Sequence, residues 1–453
     1  MSDLPILVAG AGAAGLAAAL AASDGGGEVV VAERSPHFRQ GSNSAMSTAM
    51  IPAGGSRWQA EHGISDSPQQ FLADMVRATE GTVDATVSSA LTTVAFELVE
   101  WLADACRVPL QLATDFTYPG HSARRCHTVS DRSGKTLLKH LLDAVAGRDN
   151  ITLVTPLELT AVHETPDGLE AQLTTPDGES EWEQFGAVVL ATNGYAGDEQ
   201  LLRENIPAMV DAYYHGGDGS KGHAVRIGRS LGAETAYLDA YQGHGSLAMP
   251  HAILLTWAVM VHGGIMVNGN GQRFADESGS YSSFGAKVTA QPDRVGWAIF
   301  DERISALCEP FADYQDILAA NAVHRADSVD ELAAIIGCDA AALRKQFEAV
   351  AGYRDGRAVD PVGRSDFGQG LGAPYRAVRV TGALFHTQGG LVVDEHARVQ
   401  RDGAPIPGLY AAGGSAVGAS GHGATGYLAG NGLLGALGLG YLAGRHAATA
   451  TAG

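Results

Sequence analysis

The chain has 453 residues, 45% hydrophobic and 18% charged, with a formal net charge of −20. That length predicts two domains rather than one core, and the composition is that of a well-packed globular enzyme. The acidity excludes nucleic acid and anionic membrane surfaces as partners.

An apolar run, Leu4–Val8, predicts a buried parallel strand, and the Ala/Leu-rich run Leu16–Ala22 predicts a helix. Between them stands Gly10-Ala11-Gly12-Ala13-Ala14-Gly15. A second apolar run, Val29–Ala32, ends at Glu33, eighteen residues beyond Gly15. Strand, glycines, helix and acid at this spacing form the dinucleotide-binding fingerprint. Gly10 permits the tight turn, Gly12 lets a pyrophosphate approach the backbone, and Gly15 allows close helix–strand packing. The helix start, with Ala13 and Ala14, holds phosphates through its N–H groups. Glu33 accepts the adenosine ribose hydroxyls, and Arg34 beside it is assigned to the same nucleotide. Gly-x-Gly-x-x-Gly recurs at Gly217–Gly222, Gly421–Gly426 and Gly430–Gly435, as expected of 59 glycines. Only the first copy combines a strand before it, a helix after it and an acid at the right distance; the others read as turns and close packing.

Farther on, Gly41–Ser47 is a small polar loop suited to lie along a cofactor through Ser42, Asn43, Ser44, Met46 and Ser47. Pro52–Trp58 reads as a glycine-rich turn. Ser67–Glu80, Val87–Ala105 and Gly134–Val145 have helical periodicity, with a break at Tyr118-Pro119-Gly120-His121. Ile151–Val154 reads as a strand, followed by hairpins with turns at Pro166–Gly168 and Pro176–Gly178. Ala187–Leu190 is another apolar strand, ending in Ala191-Thr192-Asn193-Gly194. Gly217-Asp218-Gly219 is predicted to open a helix running to about Leu231.

From about Leu238 to Leu384 short strands and helices mix without a βαβ rhythm. A strand resumes at Val378, then come His386–Gly390 and Leu391–Asp394. Ile406–Gly413 is a last strand–turn unit, and a C-terminal helix begins near Asn431. The chain therefore reads as α/β, with a discontinuous nucleotide domain (1–237 and 385–453) and an inserted domain (238–384).

Cys106, Cys126, Cys308 and Cys338 are scattered without a C-x-x-C pair, which predicts reduced thiols and no zinc or iron–sulfur centre. No metal site is expected. The N-terminus leads straight into a strand, and Leu433–Ala443 is too short and glycine-rich to span a bilayer. A cytoplasmic protein without a membrane anchor is the expectation.

In this order, the blocks resemble the fumarate reductase/succinate dehydrogenase flavoprotein family, including its 3-ketosteroid dehydrogenase branch. The residues that carry the resemblance are Gly10–Gly15 with Glu33, Gly41–Ser47, Ala191–Gly194, Gly217–Gly219, Gly264–Asn268 with Gly271–Glu277, His386–Gly390, and Pro407–Gly413 with Gly430–Gly432. They span nearly the whole chain. The resemblance implies FAD in a Rossmann-type domain, with the insertion as an α+β capping domain that moves over the isoalloxazine. It implies cofactor contacts from Asp218, Gly389, Gly413, Asn431, Gly432, Leu433 and Leu434 in addition to the residues above. Relatives that hold FAD covalently use a histidine near the Ser44 loop. None stands between His37 and His62, so non-covalent FAD is expected.

Gln242-Gly243-His244 looks like the cap's Gln-x-His motif. Thr256, twelve residues on, matches the family threonine, and His386 looks like the second substrate histidine. Two departures stand out. Tyr281 occupies the place of the proton-donor arginine, and Gly423–Tyr427 replaces the segment with the carboxylate-binding arginine. A bidentate arginine grip on a dicarboxylate is therefore missing. Ketosteroid 1-dehydrogenases carry a tyrosine at the first place and a segment like Gly421-His422-Gly423-Ala424. Tyr118 and Tyr427 are the candidates for their further substrate-site tyrosines.

These residues point to an FAD-dependent oxidoreductase acting on a CH–CH bond beside a carbonyl or carboxylate. Tyr281 transfers the proton, and His244 and His386 face the substrate oxygen. The N-terminal turn of the C-terminal helix is expected to aim N–H groups at the flavin O2 edge. Tyr281 in a surface turn is the bland alternative, and Arg273 reads as a structural partner of carboxylates in the insertion. Reduction of an activated alkene is the second enzymatic reading, and a non-catalytic flavin sensor is the alternative of another class. With no second nucleotide fingerprint and no haem motif, an external electron acceptor or donor is implied.

Overall fold

The computed structural model describes residues 4–115, 117, 118 and 120–452, so Pro119 of the expected chain break lies outside the described residues. Ile6–Ala9 is the central strand of a six-stranded sheet. Its order is Arg398–Arg401, Ala404–Ala411, Ala187–Leu190, Ile6–Ala9, Val29–Ala32, Ile151–Val154. All neighbours run parallel except the edge pair Arg398–Arg401 and Ala404–Ala411. Ile6–Ala9 and Ala187–Leu190 are buried throughout, which explains their continuous apolar runs.

The first helix, Ala13–Asp24, is buried from Ala13 to Ser23. A helix apolar on every side has to be enclosed. The C-terminal helix, Asn431–Ala452, lies against it at backbone distance. A Cβ on Gly440 would stand 2.3 Å from Ala14 O, and one on Gly444 2.2 Å from Ala18 O. The glycines of this helix thus have a packing cause.

The hairpins Glu158–Thr165, Gly168–Thr174 and Ser180–Phe185 form a separate antiparallel sheet. Helices Pro68–Ala78 and Ala85–Asp104 start where Ser67 and Asp84 accept backbone N–H groups as N-caps. The helix expected from Gly217 starts only at His223. Gly217–Gly222 is loop, since three glycines in six residues carry too high an entropic cost to propagate a helix.

The chain forms two units. The first comprises the chain up to Ile206, Gly216–Tyr241 and His386 onward; the second comprises Pro207–His215 and Gln242–Phe385. Pro207–His215 joins the second unit because Tyr213–Tyr214 pairs in parallel with Ala383–Leu384. The second unit is built on an antiparallel sheet that includes Ile265–Asn268, Gly296–Asp301 and Tyr375–Thr387. Its side chains alternate between two cores. Met266, Ala298, Phe300 and Val378 enter one; Ile265, Val267, Trp297, Ile299 and Ala377 enter the other. No helix of the described residues is long and apolar enough to cross a membrane.

Candidate functional site

In the first unit the fingerprint has the expected geometry. Gly10 is left-handed at φ 108°, and a Cβ there would meet Ala191 O at 2.5 Å; one on Gly15 would meet Gly10 O at 1.8 Å. Glu33 is 8% exposed and accepts the N–H groups of Ala11 at 2.8 Å and Ser35 at 2.7 Å. Its carboxylate is thereby aimed at the glycine turn. Ser44 Oγ accepts the Ala13 N–H at 2.9 Å beside Gly12. Ser42 caps the turn Asn43–Met46, Ser47 donates to Ser44 O, and Met46 is exposed. Asn43 Oδ1 accepts the Gly217 N–H at 2.5 Å, and Arg34 donates to Asp218 O at 2.8 Å. These two contacts bring segments 34–43 and 217–218 together.

Asn193, left-handed at φ 68°, donates to Ser220 Oγ at 2.7 Å and accepts the Gly194 N–H. Beside it, Thr192 Oγ1 is buried without a hydrogen-bond partner. Asn431 is 2% exposed; its Nδ2 donates to Ala419 O, while its Oδ1 is likewise buried and unpartnered. Buried polar atoms are nearly always satisfied, so these orphans mark places that await a polar ligand. Both belong to residues assigned to FAD, and with the glycine cradle and Glu33 they fit that group. A backbone carbonyl, Tyr237 O, would lie 1.9 Å from a Cβ on Gly389, and Gly413 packs on Ala14 and Ala436. Leu433 and Leu434 are buried in the core, so any cofactor contact there is through backbone.

The Asn431, Gly432 and Leu434 N–H groups bond to Leu428 O, Tyr427 Oη and Gly430 O. The terminus also carries the partial positive charge of the helix.

His386 and Tyr427 meet at this terminus, with ring centroids 5.8 Å apart at 68°. A Cβ on Gly432 would stand 3.1 Å from His386 Nε2 and from Tyr427 Oη. Burial pushes His386 down to about 4 and the Tyr427 phenol up to about 12. The 427–431 loop is backed by a buried polar network. Arg125, 1% exposed, holds Asp66 through two contacts of 2.9 Å and Asp74 through one of 2.5 Å. Its Nη1 approaches His121 Nδ1, and His121 Nε2 donates to Ala429 O at 3.1 Å. Tyr118 packs against Met50, Ala113 and Cys126, and burial raises its phenol.

In the second unit His244 and Tyr281 meet, with ring centroids 5.0 Å apart at 32°. Tyr281 opens the helix Tyr281–Thr289 and packs on an apolar core, so the segment is no surface turn. Glycines make the approach possible. Phe284 would lie 2.8 Å from a Cβ on Gly245, and one on Gly285 would crowd the His244 backbone at 3.1 Å. Ser282 Oγ accepts the Gly243 N–H at 2.9 Å and ties helix to strand. Trp257 meets His244 edge-on, and Phe385 stacks on it.

His244 is 5% exposed, and burial, helped by the His215 imidazole, lowers it to about 3. Its Nδ1 accepts the Ser246 N–H at 3.2 Å, so the neutral ring carries its proton on Nε2. Thr256, half-buried, accepts the Ala258 N–H at 3.4 Å. Arg273 pairs with Glu277 at 2.7 Å and Asp360 at 3.0 Å, and Arg364 also reaches Glu277. The buried guanidinium groups of this unit are committed to its own carboxylates. Sequence reasoning missed Trp257, whose indole N–H is buried without a partner, and Gln388, which contacts His386. Gln388 was visible only as a member of the His386–Gly390 block.

The family described as FAD binding domain matches residues 5–433. A flavocytochrome c3 fumarate reductase in its open conformation is similar over 99% of this chain and 78% of its own, at 26% identity and TM-score 0.84. A 3-ketosteroid-Δ4-(5α)-dehydrogenase from Rhodococcus jostii shares the fold over 98% of this chain and 96% of its own, at 24% identity and TM-score 0.77. The 4-oxocyclohexanecarboxylate 2-dehydrogenase of Sinomonas cyclohexanicum is 31% identical over 59% of this chain and 52% of its own length. The chain belongs to the FAD-binding-domain family and is an FAD-dependent oxidoreductase acting on CH–CH bonds, of the group that includes fumarate reductases.

Proposed function

We propose that this flavoenzyme dehydrogenates the Cα–Cβ bond of a saturated ketone, with Tyr281 as the proton-transfer residue. Bound non-covalently by the fingerprint, Glu33, Thr192–Asn193 and the Asn431 turn, FAD supplies the acceptor for the β-hydride. Tyr281 takes the α-proton. A phenol with an ordinary pKa of ~10 acts as a base only with donors beside it that favour the phenolate. His244, next to Tyr281, and His386, next to Tyr427, donate Nε2–H to the carbonyl oxygen as enolate charge develops there. Trp257 and Phe385 pack on the His244 ring, and Phe284 belongs to the core on which Tyr281 packs.

The observation that carries this reading is the His244–Tyr281 contact. Further support comes from the two histidines, which burial holds neutral. Neutral donors suit a ketone oxygen, whereas a dicarboxylate calls for cations, and the buried arginines Arg273 and Arg364 are already paired. The oxo-ring named for the Sinomonas relative supports a cyclic ketone.

A second reading, reduction of an activated alkene with electrons from an external donor, is favoured by the likeness to fumarate reductase. There Tyr281 gives its proton instead of taking one. The test is anaerobic mixing of holoenzyme with saturated ketosteroids, simple cyclic ketones, succinate and tricarboxylates. Bleaching of the yellow flavin by a ketone alone is expected. Bleaching by succinate alone contradicts the proposal, and reoxidation by the matching alkene fixes the working direction.

A further inference from the structure

His386 is held from behind by a residue that takes no part in the chemistry above. Gln388 is 7% exposed. Its main chain is fixed on both sides: its N–H donates to Ala240 O at 2.8 Å, and its carbonyl accepts the Gly418 N–H at 2.8 Å. Its side-chain Oε1 accepts the hydroxyl of buried Ser420 at 3.1 Å. A Cβ on Gly418 would stand 2.7 Å from that oxygen, so glycine there leaves the amide its place. The amide nitrogen is then turned to His386 and lies 2.9 Å from Nδ1.

An amide NH2 donates and cannot accept. Nδ1 is therefore the acceptor, and the proton of the neutral ring sits on Nε2, the nitrogen at Gly432 and Tyr427. A competing arrangement is built into the same site. Thr387 O lies 3.4 Å from Nδ1 and would take an Nδ1–H if the glutamine donor were absent.

We propose that Gln388 is a positioning residue that selects the Nε2–H tautomer of His386, so that the ring presents a donor, not a lone pair, at the Gly432–Tyr427 end. The role of that donor in turnover rests on the ketone reading given above; the tautomer does not. His244 reaches the same state by another route, a backbone N–H from Ser246. The two histidines assigned to the substrate oxygen are thus both set as Nε2 donors.

The test is nitrogen-15 NMR of histidine-labelled holoenzyme, with the His386 signals identified by their loss in His386→Gln. Wild type is expected to show a protonated Nε2 and an unprotonated Nδ1. Gln388→Met removes the donor, and Gln388→Glu replaces it with an acceptor. Both are expected to move the proton to Nδ1 with FAD content unchanged, and to lower kcat/KM about tenfold or more, because a lone pair then faces the substrate oxygen. Should one variant fail to hold FAD, the other and Ser420→Ala carry the same readout. An Nδ1–H ring in wild type, or a ring still Nε2–H in Gln388→Met, overturns the assignment. A proton that moves while kcat/KM stays constant upholds the positioning of the ring and overturns the donor role in the ketone reading.

Discussion

The Tyr281 ring lies 5.0 Å from the His244 ring, where glycines 245 and 285 let a helix settle on a strand. The contact places a titratable phenol beside an imidazole that burial keeps uncharged.

The histidines give a pH signature. Their ordinary value is 6.5, and in the folded chain His244 is near 3 and His386 near 4. The unfolded chain therefore binds more protons between those values. Stability rises with pH up to about 6.5 and falls as pH is lowered beneath it. In the native enzyme both rings stay neutral above about pH 5, so kcat/KM is expected to show no ionisation between that pH and neutrality. A pH–rate profile of the holoenzyme checks this, and a break near 6.5 would assign a protonated histidine to the working state.

Tyr427→Phe removes the acceptor of the Gly432 N–H. Loss of a hydrogen bond at this half-buried position costs about 0.5–1.5 kcal/mol. The variant is expected to bind FAD, to turn over more slowly, and to melt several degrees lower, as read by calorimetry and steady-state kinetics.

Arg125→Met leaves Asp66 and Asp74 buried without their cation. Breaking a buried pair from one side costs about 3–5 kcal/mol. Denaturant titration of the holoenzyme is expected to show that loss. Because His121 links the network to Ala429, altered flavin absorbance is expected as well. In the wild type, hydrogen bonds from Ser122, Arg77 and Arg125 overcome burial and hold Asp74 down at about 2. Its contribution is complete above about pH 4 and is lost as pH falls through 2.

Gly440→Ala inserts a methyl where Ala14 O lies at 2.3 Å. The obstacle is backbone, so the C-terminal helix has to move off the first helix. Overpacking of this kind costs about 1–3 kcal/mol. Weaker FAD retention on gel filtration is the expected readout, since both helices begin at cofactor residues.

The nucleotide half of the fold was legible because its signals are local. Strand, glycine turn, helix and Glu33 fall within thirty-odd residues, and each leaves its own trace in composition. The second unit was legible only as a break in rhythm. Its sheet is buried on both faces, so Ile265–Asn268 and Gly296–Asp301 show apolar runs without alternation. Tyr213–Tyr214, two residues long, offers no period at all. Periodicity also misled at Gly217, where flanking helical residues masked a glycine loop. Among site residues, Tyr281, His244 and His386 stood out through family motifs. Gln388 did not, because its role depends on Ser420, distant in sequence and silent in any motif.

The most direct measurement is the anaerobic half-reaction of Tyr281→Phe holoenzyme with a ketone that bleaches the wild type. General acid–base catalysis by one side chain contributes about 10²–10⁴-fold. A rate of flavin bleaching lower by that factor, with FAD content and the ketone's binding constant unchanged, is the expected result. Bleaching at the wild-type rate would remove Tyr281 from the chemistry and contradict the mechanism.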